Sequence, residues 1–300
     1  MKNKVSIFDY DFDWALKDYN IHPRSTPGTL TRQEVVAFCG TLGVDGIEIR
    51  HDYWSDCSPS YVRKICSDAG LPIVTYLFEA DLALPKTDRR SEIDRVYLLI
   101  DRTAELGAPR AFFVPGIFKE QWPLEQQRGW LIEGIRECAE RARSAGVTLL
   151  SENIDYPPVR PFMGRGEDCR KICAEVDSAG FRLIYDVCAP LFVEEDSLET
   201  LRVMAPYVTH VHLKNSRMLT PGEDKQRQLE TISGKACTGT LLAGGSVNLL
   251  PILAELKRLN YEGYFLIEYQ GEEDPKTAAR HNVKVLAQLL EEVKGGGSPM

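Results

Sequence analysis

Short apolar runs and amphipathic stretches alternate along this chain in a repeating order. Runs rich in β-branched and aromatic residues fall at 5–8, 45–50, 72–78, 110–114, 147–152, 181–186, 208–214 and 263–269, and each predicts a strand. Between them, apolar residues recur at helical spacing over 31–43, 60–69, 89–106, 124–145, 166–179, 198–204, 247–259 and 275–293. Thr31 followed by Glu34 has the form of a capping box. Gly43, Gly70, Gly107, Gly146 and Gly180 stand where helices stop ahead of the next strand. Two segments break the rhythm and read as long loops. Residues 9–28 are aromatic (Tyr10, Phe12, Trp14, Tyr19) and carry His22, while 215–245 are polar and include Gly239, Gly244 and Gly245.

Eight strands alternating with eight helices indicate a parallel α/β protein. Eight such units in about 290 residues fit a closed (β/α)8 TIM barrel better than an open sheet. No GxGxxG follows the first strand, so a dinucleotide-binding sheet lacks its fingerprint. No stretch has linker composition, which predicts one barrel domain over 1–294. Residues 295–300 (GGGSPM) read as a flexible tail of the sort cloning leaves behind.

Composition narrows the class. Of 300 residues, 43% are hydrophobic and 27% charged, ordinary for a globular protein. The net charge of −8 offers no general attraction to nucleic acid or anionic membranes. The N-terminal residues lack the apolar core of a secretory signal, and no run reaches a membrane span. The eight cysteines have no paired CxxC spacing, so reduced thiols and a cytoplasmic location are expected. Cys169 and Cys173, one helical turn apart, read as buried apolar contacts.

The seventh strand carries candidate chemistry. Alternation puts His210, His212 and Lys214 on one face of Val208-Thr209-His210-Val211-His212-Leu213-Lys214, an odd set for an apolar core and a suitable one for a polar cavity. In a barrel, functional groups gather at the C-terminal strand ends. Those ends supply Glu152, Asp186, His212 and Glu268 from four consecutive strands. Three carboxylates and one imidazole aimed at one point make a divalent-cation site with mainly hard oxygen donors. The competing reading is four buried polar residues with separate local partners. His210 lies about 6.6 Å along the strand from His212, too far to share one ion, and is expected one layer deeper as a supporting residue.

Other residues have more than one reading. His51 and Lys214 are candidates for a general acid, with Lys214 better suited to anchoring a substrate oxygen. Trp54 and the aromatic first loop could stack on a sugar ring or plug the barrel mouth. Glu48 and Arg50 share a strand face and are expected to form an internal ion pair. No basic, Gly-rich phosphate cradle is evident, which favours a non-phosphorylated substrate.

Ser151-Glu152-Asn153, Tyr185-Asp186, His210-Val211-His212-Leu213-Lys214 and Gly263-Tyr264-Phe265-Leu266-Ile267-Glu268 resemble the motifs of the xylose isomerase-like TIM-barrel superfamily. The resemblance extends from Val5 to about Leu290 and points to the sugar phosphate isomerase/epimerase branch, with its ketose 3-epimerases, hydroxypyruvate isomerase and inosose dehydratase. It implies Glu152, Asp186, His212 and Glu268 as ligands of one Mn²⁺ or Mg²⁺, with Zn²⁺ or Co²⁺ also compatible. It further implies Glu152 and Glu268 as the proton-exchanging pair and Arg217 as an approximately retained substrate contact; Asn153, Lys214, His51 and Trp54 join Arg217 as candidate substrate contacts. The chain departs from ketose 3-epimerases where Pro158 replaces a substrate-binding Glu and Ala189 replaces a His; Arg217 is one residue nearer the metal His.

The expected activity is metal-dependent isomerisation or epimerisation of a carbohydrate through an enediolate. The alternatives are a dehydratase or decarboxylase using the same intermediate, and a non-catalytic sugar-binding barrel. Endonuclease IV shares the barrel but needs a three-metal, histidine-rich cluster. With five histidines and a net charge of −8, this chain is not expected to bind nucleic acid or membranes. A homo-oligomeric state is left open.

Overall fold

A computed structural model describes residues 4–17, 28–154, 161–225 and 228–295. Eleven strands occur among them: β1 Lys4–Phe8, β2 Gly46–Arg50, β3 Ile73–Ala80, β4 Arg110–Pro115, β5 Thr148–Glu152, β6 Phe181–Asp186, β7 Val208–Leu213, β8 Asn215–Met218, β9 Gln228–Glu230, β10 Ala236–Thr240 and β11 Tyr264–Ile267. Eight of them close a parallel barrel in the order β1-β11-β7-β6-β5-β4-β3-β2. This is the (β/α)8 architecture that the alternation of runs predicts.

The pleat divides the core in two. Phe8, Leu77, Phe112, Leu150, Ile184 and Leu266 pack inside the barrel. Their chain neighbours, among them Ile7, Tyr76, Phe113, Leu149, Tyr185 and Ile267, pack between the strands and the helices. Even-numbered positions therefore face the barrel axis on these strands except β3, where odd-numbered ones do and the register against β2 is shifted, and this alternation sets where each polar strand residue points.

The helices follow their local signals. Thr31 and Glu34 cap the helix Arg32–Gly40 reciprocally, with Glu34 N donating to Thr31 Oγ1 (3.2 Å) and Thr31 N to Glu34 Oε2 (2.8 Å). Gly43, Gly70, Gly107 and Gly146 take φ near +73°, which a residue without Cβ adopts freely, and they let the chain turn into the next strand. All eight cysteines are free thiols; Cys169 Sγ donates to Met163 O (2.9 Å). No described helix is long and apolar enough to cross a membrane.

The two expected long loops contain regular structure. Residues Asp9–Ala15 form a buried 3-10 turn against the barrel rim, and Leu16 bridges to Leu30. Tyr19 and His22 lie outside the described residues, as do Pro158 and the tail beyond Gly295. The polar segment after β7 folds into an antiparallel sheet of order β8-β10-β9. Asn215 fixes its base: Nδ2 donates to Leu242 O and Val247 O (2.9 Å each), and Oδ1 accepts from Val247 N (3.0 Å). Strands this short, with polar side chains on both faces, give no period-2 signal.

Candidate metal centre

His212 organises the site. Strand β7 brings it inward in register with Asp186 on β6 and Leu266 on β11, and the rings of Phe112 (5.6 Å between centroids) and Phe8 (6.2 Å) pack beside it. Its Nδ1 lies 3.3 Å from Glu152 Oε2 and 3.2 Å from Glu268 Oε2. Glu152 ends β5, and Glu268 follows β11 with its backbone N–H still bonded to Leu213 O (3.0 Å). One ligand atom from each of Glu152, His212 and Glu268 lies within 4.8 Å of the other two, and all three residues are buried.

Asp186 joins this group through a cation. Its Oδ2 accepts from Lys214 Nζ (2.7 Å), and the same ammonium donates to Glu268 Oε1 (3.2 Å). Oδ1 accepts the backbone N–H groups of Cys188 (2.7 Å) and Ala189 (3.2 Å), so one oxygen is bound to the loop and the other faces the site. Asn153 is a clamp on the Asp186 backbone. Its Nδ2 donates to Asp186 O (3.0 Å) and its Oδ1 accepts from Asp186 N (2.8 Å), which leaves its amide facing β6.

The electrostatics show what the group lacks. Glu48, Glu152, Asp186 and Glu268 are all buried around one lysine and two histidines. Burial raises the Glu152 carboxyl, and the charges of Glu268 and Asp186 add to it against the pull of His212. Burial opposes protonation of His212, but the surrounding carboxylates hold it well above the ordinary histidine range. Burial also works on Glu268, yet Lys214 and His212 override it and bring the carboxyl down to about 2. Glu152 Oε2 accepts no hydrogen bond among the described residues. A buried excess of negative charge, an orphaned carboxylate oxygen and an imidazole nitrogen flanked by two carboxylates fit a divalent cation.

Other candidate contacts lie elsewhere. His51 follows the inward Arg50 and so turns outward, where its Nδ1 meets Tyr76 Oη (2.6 Å) on the helix side of β3. Trp54 is 1% exposed and its indole donates to Asp9 Oδ2 (2.9 Å), leaving no face for a sugar. Arg217 leaves the barrel with β8 and pairs with Glu223 (3.0 Å). The expected Glu48–Arg50 pair is also absent. Arg50 sits at the rim with Asp52 (2.6 Å) and Glu79 (3.0 Å), while Glu48, two residues deeper, bonds His210 Nε2.

Sequence reasoning missed the role of Glu48 and of the first loop. Inward parity in an apolar strand, shared with His210, was the available signal for Glu48. The spaced acids of Asp9-Tyr10-Asp11-Phe12-Asp13 were the signal for the loop. Asp11 Oδ1 accepts from Tyr269 N (2.8 Å), the residue after Glu268, and Asp13 Oδ1 accepts from Tyr53 Oη (2.7 Å).

Comparison with known proteins agrees with the fold. The chain is 24% identical over 300 aligned residues to an inosose dehydratase of Geobacillus thermodenitrificans, covering 92% of this chain and 93% of that one. It is 24% identical to a fructoselysine 3-epimerase of Shigella flexneri, covering 84% and 90%. A solved L-ribulose 3-epimerase superposes with TM-score 0.75 at 17% identity, covering 97% and 96%. The family whose members share this barrel matches residues 36–289, and the chain therefore belongs to the xylose isomerase-like TIM barrel family.

Proposed function

We propose that this chain is a divalent-cation-dependent lyase that removes the proton beside the carbonyl of a keto-polyol or keto-sugar and expels a β-hydroxyl as water. The supporting observation is the convergence of Glu152, His212 and Glu268 on one point, with Lys214 joining Asp186 to Glu268. Glu152, Asp186, His212 and Glu268 would hold the cation, and their carboxylate majority favours Mn²⁺ or Mg²⁺. When bound, such an ion polarises a carbonyl oxygen and a neighbouring hydroxyl.

The two glutamates are not equivalent, and that inequality favours elimination. Glu268 receives hydrogen bonds from Lys214 (3.2 Å) and Gln270 (2.7 Å) and lies 3.2 Å from His212 Nδ1, contacts that hold it ionised and weakly basic. Glu152 has an oxygen without such a partner and is the better base. In the proposed reaction Glu152 takes the proton from the carbon next to the carbonyl. The electron pair forms the new C=C bond as the C–O bond to the β-hydroxyl breaks, and the Lys214 ammonium gives that hydroxyl its proton. The likeness to an inosose dehydratase over 92% of this chain supports dehydration as the outcome.

Epimerisation is the second reading, favoured by the likeness to a fructoselysine 3-epimerase. There the proton returns to carbon from the opposite face, with Glu268 as second base. Proton NMR in D₂O, with the Mn²⁺-loaded protein and a panel of keto-inositols and keto-sugars, separates the two. Elimination predicts loss of the α-proton signal together with one equivalent of dehydrated product. Deuterium at a stereo-inverted carbon with no water lost would establish epimerisation instead. Glu152→Gln should abolish both exchange and product, and a Glu152→Gln protein of full activity would end the proposal.

A further inference from the structure

Glu48 and His210 are fully buried, and the reaction above uses neither. Strand register is irregular at both: β2 slips against β3 between Ile47 and Glu48, and β6 slips against β7 beside His210. Such irregularities re-aim side chains, commonly near functional sites. Glu48 Oε1 bonds His210 Nε2. Its other oxygen, Oε2, lies 3.6 Å from His212 Nε2, and neither of these two buried atoms has a hydrogen-bond partner. A buried acceptor and a buried donor left unpaired and facing each other would each carry a desolvation cost that closure by a few tenths of an ångström removes.

We infer that Glu48 is a positioning residue of the metal centre, receiving the Nε2–H of His212 on one oxygen and that of His210 on the other, so that His212 offers Nδ1 bare to the cation. This rests on the metal-site reading. Ligating imidazoles commonly give their second N–H to a carboxylate, which sets tautomer and ring orientation. His210 serves as the brace that keeps the carboxylate in place. The Glu48–His210 bond is the closer of the two contacts, so in Glu48→Gln the single amide oxygen stays with His210. The amide NH₂ then faces His212 Nε2, and the His212 proton moves to Nδ1, where it competes with the cation.

The test uses the full chain stripped of metal and titrated with Mn²⁺, free ion being followed by electron paramagnetic resonance. Wild type is expected to take one equivalent, and Glu48→Gln and Glu48→Met to bind it about 10–100-fold more weakly while remaining folded. Asp9→Asn removes another buried carboxyl, one at the rim whose hydrogen bonds go to Arg50 N and Trp54 Nε1, and should bind Mn²⁺ as wild type does. In the Mg²⁺-loaded wild type the ¹⁵N ring signals of His212 should show the proton on Nε2, and at the same Mg²⁺ concentration Glu48→Gln should show a larger fraction of His212 protonated on Nδ1 and free of the cation. If wild type takes up no Mn²⁺, the metal reading falls and this inference with it. If wild type binds and a folded Glu48 variant binds within twofold of it, the positioning role is overturned while the metal site stands.

Discussion

At the scale of single residues, Lys214 separates the two reactions this barrel could perform. Its ammonium is buried and lies 2.7 Å from Asp186 Oδ2 and 3.2 Å from Glu268 Oε1, where it both balances charge and can donate a proton. Lys214→Met keeps an unbranched side chain one atom shorter and removes the proton donor. Loss of a general acid typically costs about 10²–10⁴ in rate. Product formation should therefore fall by that factor, while exchange of the substrate α-proton with D₂O continues at a measurable rate. Equal loss of exchange and product would show that the lysine binds substrate or braces carboxylates and does not act as the acid. His212, Glu152, Asp186 and Glu268 were legible as candidate ligands because each ends an apolar strand. Glu48 was paired with the wrong partner, because a shared strand face does not reveal that Arg50 reaches the rim while Glu48 stays inside.

At the scale of elements, the 3-10 turn Asp9–Ala15 is a set of staples across the barrel mouth. Asp9 accepts Arg50 N (3.1 Å) and Trp54 Nε1 (2.9 Å) at the end of β2, while Asp11 holds the residue after Glu268. Burial pushes the Asp9 carboxyl up to about 8, against the opposing hydrogen bonds from Trp54 and Arg50. The folded chain thus keeps this proton at pH values where the unfolded chain has lost it. Its contribution is full below the unfolded value of 3.8 and is lost as pH rises toward about 8. Asp9→Asn removes that dependence. Its unfolding free energy, read from urea titrations, should gain on wild type between pH 4 and 8, by at most about 1.4 kcal/mol per pH unit, and level off above. A gap that shrinks with rising pH would mean that Asp9 is ionised in the folded protein.

At the scale of the whole molecule, the interior of the barrel concentrates negative charge on a chain whose net charge is already −8. Four buried carboxylates are set against Lys214 and two histidines, with Lys214 paired to Asp186 and Glu268, so a bound cation should stabilise the fold as well as complete the site. A ligand at 100 times its dissociation constant adds about 2.7 kcal/mol. Saturating Mn²⁺ should raise the unfolding temperature of the metal-free protein and chelator should reverse the rise. Glu152→Gln and Glu268→Gln should show a smaller rise, because an amide oxygen is a weaker, uncharged ligand. An identical shift in wild type and both variants, followed by scanning calorimetry, would place the ion elsewhere.

The barrel itself was readable from the chain, since runs of period two and stretches of period 3.6 are local consequences of burying one face of each element. So were the helix stops at glycine and the capping box at Thr31, which depend on residues a few positions apart. The polar strand ends could be recognised as one group once eight such units were counted. Tertiary structure alone decided the partners. It turned His51 outward against Tyr76, buried Trp54 against Asp9, carried Arg217 away on an antiparallel excursion, and brought Glu48 to His210 across 162 residues of sequence. Those outcomes depend on strand register and barrel closure. Both are set by packing summed over the whole sheet, and no local stretch of sequence contains them.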